Sequence, residues 1–413
     1  MKFTVERDAL AEAVSWAARA LPVRPVLPVL TGLLLSVGQQ GAGPGYLTLS
    51  CFDYEVSARV RVPAEVAEPG TVLVPGRLLV EIVRSLPAHP VEFADDPDGV
   101  SVSCGDAAFL LTPLPHPDYP ELPELPQLAG TVDGGALAAA IAQVTPAASK
   151  DDTLPMLTAV SVELEGPAMT LAATDRYRLA VRELPWQPAP GPGPAAGGRL
   201  ALLVPARTLG DAARMMSGGT EVRVVLRHAG TAGRPGDQPA TGAGAAAGRA
   251  AEAMIGFESG PRRLTTRLLA GDFVRYKSRF PADFGCTADL PAEAFAEAVR
   301  RVALVAERGT PVQLTFAPDR VTVGAATQGQ ARARETVAAD FAGREPSIAF
   351  SPHYLLDGVL AATAAADPAD PAEARVRLQF TSPAKPAVIT PVLAGQDGAR
   401  AGFRYLVVPQ RLR

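Results

Sequence analysis

The sequence is poor in the residues that build metal sites, disulfide frameworks and membrane spans. It has three cysteines and four histidines in 413 residues, and no cysteine stands with a histidine at the spacing of a zinc site. No apolar run reaches the roughly 18 residues that a membrane helix requires, and the first residues carry no apolar signal core. These absences predict a cytoplasmic protein without a metal, a cofactor or a membrane segment.

The sequence also lacks an excess of positive charge. It has 39 Lys and Arg against 43 Asp and Glu, which gives a formal net charge of −4. A protein held on nucleic acid by bulk electrostatics needs a basic excess, so any contact with DNA must be local or topological. Hydrophobic residues make up 47% of the chain, which is enough for several buried cores in about two to four domains.

Catalytic motifs are missing as well. The chain has no G-x-S-x-G, no phosphate-binding G-x-x-x-x-G-K-[ST], no H-E-x-x-H and no C-x-x-C. The pair Asp151 and Asp152, or Asp175, would be the acidic group of an unrelated enzyme, but no nucleophile, base or metal cluster accompanies them. The sequence therefore predicts no catalytic residue, and an enzyme is the weakest of the open alternatives.

One helical pattern occurs three times along the chain. Apolar residues recur at i, i+4 and i+7 behind an acidic residue, which predicts an amphipathic helix with an N-terminal cap. The three faces consist of Leu10, Val14, Ala17 and Leu21 behind Asp8; Leu137, Ile141 and Val144 behind Asp133; and Phe295, Val299 and Val302 behind Asp289 and Pro291. The chain is therefore built from three repeats.

A second helix is predicted in each repeat, opening at Pro75, Pro205 and Pro352 because proline suits the first helical turn. Alternating segments such as 47–50, 161–164, 169–172 and 321–324 predict half-buried antiparallel strands between the helices. The fold class is α+β, with two helices packed on antiparallel sheets in each repeat. The predicted domains are 1–126, 127–283 and 284–413, with Gly, Ala and Pro-rich loops at 188–198 and 229–253 in the central one.

Basic residues recur near corresponding ends of the predicted helices. Arg24, Arg77, Lys150 and Arg207 are the positions of interest. They fit an ordinary solvated surface, and they equally fit a shared surface that contacts phosphates without reading bases. Their recurrence in the repeats favours the phosphate-facing alternative.

Four short segments carry a resemblance to a known family. The stretch 171–180, LAATDRYRLA, resembles the T-D-x-x-R-L-A signature in the middle domain of bacterial sliding clamps, the β subunits of DNA polymerase III. The stretch 24–30, RPVLPVL, is similar to the family's R-P-x-L-P-[IV]-L, and 204–207, VPAR, to its V-P-A-[RK]. The stretch 405–412, YLVVPQRL, resembles its C-terminal Y-[LV]-[LV]-M-P-x-R-L. With the three repeats, the resemblance covers nearly the whole chain.

The resemblance implies a head-to-tail homodimer of three-domain subunits that closes as a ring around double-stranded DNA. Such a ring tethers the α subunit of the polymerase, is opened by a clamp loader and serves other polymerases and repair proteins. Arg24, Arg77, Lys150 and Arg207 are expected to face the DNA. The dimer contact is expected to join the edge strand with Phe109 and Leu111 to the helix with Leu304.

The family also has a peptide pocket between its second and third domains. The positions here that match it are Leu157, Thr174, Arg176, Tyr177, Arg178, Leu179, Tyr354, Val407, Pro409, Arg411 and Leu412. Aliphatic walls would accept an apolar anchor of the peptide, and an arginine at the rim would hold a carbonyl or carboxylate.

Several positions depart from the family pattern at this pocket. Val274 replaces a proline, Ser278 and Arg279 change size and charge, and the tail has Val408 and Gln410 in place of methionine or an aliphatic residue. These departures leave open a second interpretation, a divergent clamp paralogue with altered binding of partners or of an inhibitor such as a clamp-targeting antibiotic.

Overall fold

The structure is a computed structural model of the chain. It describes residues 1–39, 43–124, 126–191, 198–216, 221–227, 253–307, 309–327, 330–344, 347–364, 374–392 and 402–411. The predicted loop at 229–253 lies outside these residues except for its last position, and 192–197 of the other loop lie outside them too.

Within the described residues the chain forms six α-helices and 27 strands. The helices are α1 (Arg7–Ala17), α2 (Gly76–Ser85), α3 (Gly134–Val144), α4 (Ala206–Met216), α5 (Ala292–Ala303) and α6 (Pro352–Thr363). The first nine strands are β1 (Lys2–Val5), β2 (Gly32–Gln39), β3 (Gly45–Phe52), β4 (Val56–Pro63), β5 (Glu65–Glu68), β6 (Gly70–Pro75), β7 (Val91–Asp96), β8 (Gly99–Cys104) and β9 (Ala107–Leu111).

The second nine strands are β10 (Gln127–Asp133), β11 (Ala159–Glu165), β12 (Ala168–Thr174), β13 (Arg178–Pro185), β14 (Gln187–Pro188), β15 (Leu200–Pro205), β16 (Glu221–Arg227), β17 (Met254–Ser259) and β18 (Arg262–Arg267). The last nine are β19 (Cys286–Pro291), β20 (Val312–Ala317), β21 (Arg320–Thr327), β22 (Ala331–Ala338), β23 (Asp340–Gly343), β24 (Ser347–Phe350), β25 (Arg375–Phe380), β26 (Ala387–Val392) and β27 (Phe403–Val407).

The element order repeats three times. Each set of nine strands and two helices runs as one strand, a helix, five strands, a helix and three strands. This order confirms the predicted α+β fold of three repeats. The helices bury the predicted faces, as with Leu10 and Val14 of α1 or Phe295 and Val299 of α5.

Two details of the helix starts differ from the prediction. The first helix begins at Arg7, so Asp8 lies inside the first turn, where a carboxylate still interacts favourably with the helix dipole. Pro75 and Pro205 end β6 and β15, directly before α2 and α4, whereas Pro352 stands inside the first turn of α6 as predicted. Proline is tolerated at both places because neither position needs its missing N–H.

The same turn joins the third and fourth strands in the first two repeats. Asp53 accepts hydrogen bonds from the backbone N–H of Glu55 and of Val56, at 3.0 and 2.7 Å. In the second repeat, Asp175 accepts the two corresponding bonds. The residue after each aspartate has a positive φ, 75° at Tyr54 and 80° at Arg176. The repeats are therefore related down to their turn chemistry.

The contacts divide the chain into two compact units. Unit one comprises Met1–Gly134, Pro188–Gly197 and Arg214–Leu268, and unit two comprises Gly135–Gln187, Gly198–Ala213 and Leu269–Arg413. Each unit takes part of the central repeat, because the strands of that repeat join two different sheets. The boundaries 1–126, 127–283 and 284–413 remain a prediction about the repeats.

Each unit contains one nine-stranded sheet and one smaller sheet. In unit one the orders are β14-β10-β16-β17-β18-β4-β3-β2-β6 and β5-β1-β7-β8-β9. In unit two they are β15-β11-β12-β13-β27-β26-β25-β19-β23 and β22-β21-β20-β24. Strands β9 and β22 are edges of the two smaller sheets, so each presents an unpaired row of backbone groups within the described structure.

Candidate functional site

The signature segment forms a tight hairpin tip between β12 and β13. The side chain of Asp175 accepts hydrogen bonds from the backbone N–H of Tyr177 and of Arg178, both at 3.0 Å. The hydroxyl of Thr174 donates to the carbonyl of Arg178 at 2.6 Å and accepts from the N–H of Arg176 at 3.1 Å. These bonds fix the tip, which leaves Tyr177 53% exposed.

Arg178 is the centre of a polar cluster rather than a free rim group. Its Nε lies 3.0 Å from a carboxylate oxygen of Asp175, and its Nη1 pairs with Asp357 of α6. Its guanidinium carbon lies 4.6 Å from the centre of the Tyr354 ring, and the residue is only 8% exposed. Both carboxylates already occupy this guanidinium, and the place of Arg178 in a peptide pocket stays a prediction.

Tyr354 links this cluster to the exposed tip. Its ring stacks with that of Tyr177, with centroids 6.1 Å apart and planes 16° from parallel. The hydroxyl of Tyr405 in β27 donates to the carbonyl of Tyr354 at 2.9 Å. Burial raises the pKa of Tyr405, so this phenol stays a hydrogen-bond donor at neutral pH.

An apolar cluster lies beside the hairpin in unit two. Its buried members are Ala172, Leu179, Val181, Tyr276 and Leu406, and half-buried Phe273, Phe280 and Val408 pack against them. Strand β13 supplies Leu179 and Val181, whereas Arg178 points to the opposite face because side chains alternate along a strand. Phe273, Tyr276 and Phe280 belong to the segment 273–281, whose Val274 is 38% exposed.

A buried carboxylate holds that segment in place. Glu163 of β11 has a side chain only 6% exposed, and its Oε2 lies 2.8 Å from Arg199 and 3.4 Å from Lys277. Burial, followed by the nearby charge of Glu163, raises the pKa of the Tyr276 hydroxyl. Glu163 was not anticipated from the sequence, since a single glutamate in an alternating strand carries no signal of its partners.

The tail of the chain lies against the hairpin, as the resemblance implied. Val407 is fully buried and pairs with Arg178, and the N–H of Val408 donates to the carbonyl of Tyr177 at 2.9 Å. Pro409 is half-buried and Arg411 is exposed, whereas Leu412 lies outside the described residues. The tail and the signature are thus brought together by β27 and β13.

The remaining pocket position, Leu157, is 5% exposed and ends a short 3₁₀ turn before β11. Its carbonyl accepts a hydrogen bond from the N–H of Ser149 at 2.8 Å. Its contribution to a peptide pocket remains a prediction.

The expected dimer residues differ in exposure. Leu304 at the end of α5 is 84% exposed and Phe109 of β9 is half-buried, but Leu111 is only 2% exposed within one chain. Neighbouring Leu110 is 53% exposed. Leu111 is already covered by its own unit, so among these four side chains Phe109, Leu110 and Leu304 are the ones that another surface can cover.

The four expected DNA-facing residues are all exposed: Arg24, Arg77, Lys150 and Arg207. Arg77 and Arg207 are the second residues of α2 and α4, and His353 holds the same place in α6. Arg77 donates to the carbonyl of Pro22 at 3.1 Å, close in sequence to Arg24. His353 was missed as a counterpart because it breaks the arginine pattern.

No group of three or more His, Cys, Asp and Glu side chains suited to a metal ion occurs in the part of the chain that the structure describes. No described helix is long and apolar enough to cross a membrane.

The three repeats match the three domain models of one family. The N-terminal domain model of the DNA polymerase III β subunit matches residues 1–123, the central one 131–274 and the C-terminal one 277–396. The chain belongs to the β subunits of DNA polymerase III, the bacterial sliding clamps, which confirms the resemblance.

Individual relatives agree with this assignment. A β sliding clamp of Streptomyces coelicolor is 46% identical over 412 residues, covering all of both chains. The β sliding clamp homolog GriR of Streptomyces muensis is 38% identical over 411 residues, covering 100% of this chain and 99% of its own. A solved sliding clamp of Pseudomonas aeruginosa bound to griselimycin superposes with a TM-score of 0.82 at 26% identity, covering both chains fully.

Proposed function

We propose that two copies of this chain close head to tail into a ring that encircles duplex DNA and tethers a DNA polymerase to it. The ring catalyses no bond change and acts in the cytoplasm, on the nucleoid when loaded. One observation supports this proposal most directly: two of the edge strands, β9 and β22, end sheets whose strand orders are complementary.

The complementarity follows from the repeats. For this comparison the nine strands of each repeat are numbered 1 to 9. Both nine-stranded sheets then have the same order, in which strands 5-1-7-8-9 of one repeat are followed by strands 4-3-2-6 of the preceding repeat. The five-stranded sheet has the order 5-1-7-8-9, and the four-stranded sheet has the order 4-3-2-6. Pairing β9 of one copy with β22 of another therefore completes a third sheet of the same order, and doing so twice closes a two-copy ring.

The register of this seam follows from the two junctions within the chain. Leu264 of β18 pairs with Ala58 of β4, and Tyr405 of β27 pairs with Ala180 of β13. At both junctions the third residue of strand nine of one repeat lies opposite the third residue of strand four of the preceding repeat. The corresponding residues at the seam are Phe109 and Ala333, so the seam again places a large apolar side chain against alanine.

Partner proteins would bind at the apolar cluster beside the hairpin tip. The segment 273–281, the tail and strands β12 and β13 surround it, and Tyr177 and Val274 leave apolar surface exposed. An extended peptide with apolar anchors suits such a surface, because its side chains enter the apolar part while its backbone meets the exposed strand ends. The expected ligands are segments of the polymerase α subunit, the clamp loader, other polymerases and repair proteins.

DNA would lie along the exposed basic positions of the helices and their flanking loops. Arg77, Arg207 and His353 occupy equivalent helix positions in the three repeats. Arg24 follows Pro22, whose carbonyl accepts a hydrogen bond from Arg77, and Lys150 is a further exposed cation. Weak contacts of this kind suit sliding, since the closed ring supplies the retention and strong attraction to phosphates would oppose movement.

A divergent paralogue with altered partners is the second candidate. Arg279 and Ser278 are both exposed on the segment that borders the apolar cluster, where they change its charge and size. A clamp homolog, GriR, is among the relatives of this chain. In this case the ring is kept and the preference for peptides or inhibitors differs.

The test is retention on DNA of different topology. We expect protein loaded with a clamp loader to stay on closed circular duplex DNA through gel filtration at high salt and to leave after the circle is cut. Equal release from circular and linear DNA would overturn the proposal of a ring. Retention on the circle without binding of a labelled polymerase peptide would favour the paralogue.

A further inference from the structure

We propose that unit one carries a second binding site, for the carboxylates of an acidic peptide segment, on the sheet face formed by Arg59 and Arg61 of β4 and Arg263 of β18. We call this surface the arginine face. It is separate from the apolar cluster of unit two and goes beyond the proposed tethering function. The opposite face of β4 holds buried Ala58 and Val60.

Like charges are placed directly opposite each other on this face. Arg59 pairs in register with Arg263 on the neighbouring strand, and Arg61 lies two residues along β4 on the same side. Like charges directly opposite in a sheet are destabilising, so this arrangement has a cost in the free protein. A bound anion between the guanidinium groups would remove that cost.

Arg59 has no acidic partner within the described residues. The two neighbouring arginines have interaction partners. The Nε of Arg263 lies 2.7 Å from a carboxylate oxygen of Glu258, and the guanidinium carbon of Arg61 lies 4.8 Å from the centre of the Tyr46 ring. Burial, and then the charges of Arg263 and Arg61, lower the pKa of Arg59. Its guanidinium is therefore the group with unused hydrogen-bond donors.

Glu258 does not neutralise the face. Its carboxylate also lies 3.7 Å from Arg223 of β16, so two arginines share it. This surface thus has four arginines, and Glu258 pairs with two of them, Arg223 and Arg263. Guanidinium groups form forked, charge-assisted hydrogen bonds to carboxylates, which makes an additional carboxylate the matching ligand.

Small hydroxyl side chains lie beside the arginines. Ser50, Ser57 and Thr265 are 2%, 8% and 4% exposed, and they lie on the same side of β3, β4 and β18 as Arg59. The hydroxyl of Thr265 is buried without a hydrogen-bond partner in the described structure. These three side chains beside Arg59 are small and uncharged, so they do not neutralise it.

The position of the face favours a peptide over a free ion. Strands β4 and β18 hold the places in their sheet that β13 and β27 hold in the sheet of unit two. Ser57, Arg59 and Thr265 thus correspond to Leu179, Val181 and Leu406 of the apolar cluster. The two junctions present equivalent strands with opposite chemistry, which suits an apolar segment at one and an acidic segment at the other.

The experiment measures binding of a fluorescein-labelled hexaglutamate peptide to the full chain by fluorescence anisotropy at low salt. We expect Arg59→Gln to weaken binding about tenfold, since one forked charge-assisted contact is lost. Arg59→Lys, which keeps the charge but loses the fork, should fall between. The control is Arg320→Gln, an exposed arginine of β21 paired with Asp319, which should bind like the wild type.

Thermal unfolding gives a readout that a structural role would not produce. We expect Arg59→Gln to raise Tm without ligand, because repulsion from Arg263 is removed, and to lose the Tm increase that the peptide gives the wild type. Equal peptide affinity of Arg59→Gln and wild type would overturn the proposal. So would tighter binding of inorganic phosphate or of single-stranded DNA than of the peptide, since the ligand would then be a free ion or a nucleic acid.

Discussion

Replacing Arg178 by methionine tests whether the polar cluster holds the hairpin tip in place. The substitution keeps the length and apolar stem of the side chain but leaves Asp175 and Asp357 without their shared cation. Breaking a fully buried ion pair costs about 3–5 kcal/mol. Asp357 is 37% exposed, so solvent screens its ion pair with Arg178. The expected decrease in the free energy of unfolding is therefore about 3 kcal/mol, including the contact with the Tyr354 ring.

Differential scanning calorimetry of the full chain measures this loss. For a unit of roughly 200 residues, about 3 kcal/mol corresponds to a decrease in Tm of roughly 6–12 °C in the transition of unit two. Arg320→Met is the matched control, since its exposed ion pair with Asp319 should contribute less than about 1 kcal/mol. A decrease no larger than that of the control would show that the cluster does not stabilise the tip.

Three further predictions follow from other contacts. Phe109→Ala should reduce the free energy of association by about 2–3 kcal/mol at each of the two β9–β22 contacts and shift the dimer towards monomer in sedimentation velocity. An unchanged mass would contradict the proposed pairing of β9 with β22. Gly358→Ala should lower Tm, because a Cβ at this position would lie 2.5 Å from the Tyr405 ring. Gly210→Ala has no atom within 4 Å of its Cβ and should raise Tm through the gain in helix propensity. Equal effects of the two variants would refute the close packing of Gly358 against Tyr405. Burial raises the pKa of the Cys51 thiol to about 12, so iodoacetamide at pH 8 should label it only after unfolding, and labelling of the native protein would contradict its burial.

Local features of the fold were predictable from the sequence. The apolar spacing of Leu10 and Val14, or of Phe295 and Val299, depends on neighbours within two helical turns, and the structure buries these residues as predicted. That the segment 171–180 lies beside the tail segment 405–412 was predicted from the family resemblance only.

Long-range partners were not predictable from the sequence. The ion pair of Arg178 with Asp357 is one example, because Asp357 lies 179 residues away in the chain. The ion pairs of Glu163 with Arg199 and Lys277 could not be predicted from the sequence, because an ion pair depends on which strands become neighbours. Leu111 was expected at the dimer contact from the family resemblance, and the sequence alone does not show that its own unit covers it.

The central claim is that β9 of one copy pairs with β22 of another in the register set by the repeats. The most direct measurement is disulfide formation in the double variant Leu110→Cys and Arg332→Cys, because this register places the two residues opposite each other across the seam. We expect oxidation to give a covalent dimer on non-reducing gels, whereas Leu110→Cys with Arg334→Cys, displaced by two residues, should stay largely uncrosslinked. No covalent dimer from the first pair, or equal yields from both, would contradict the account.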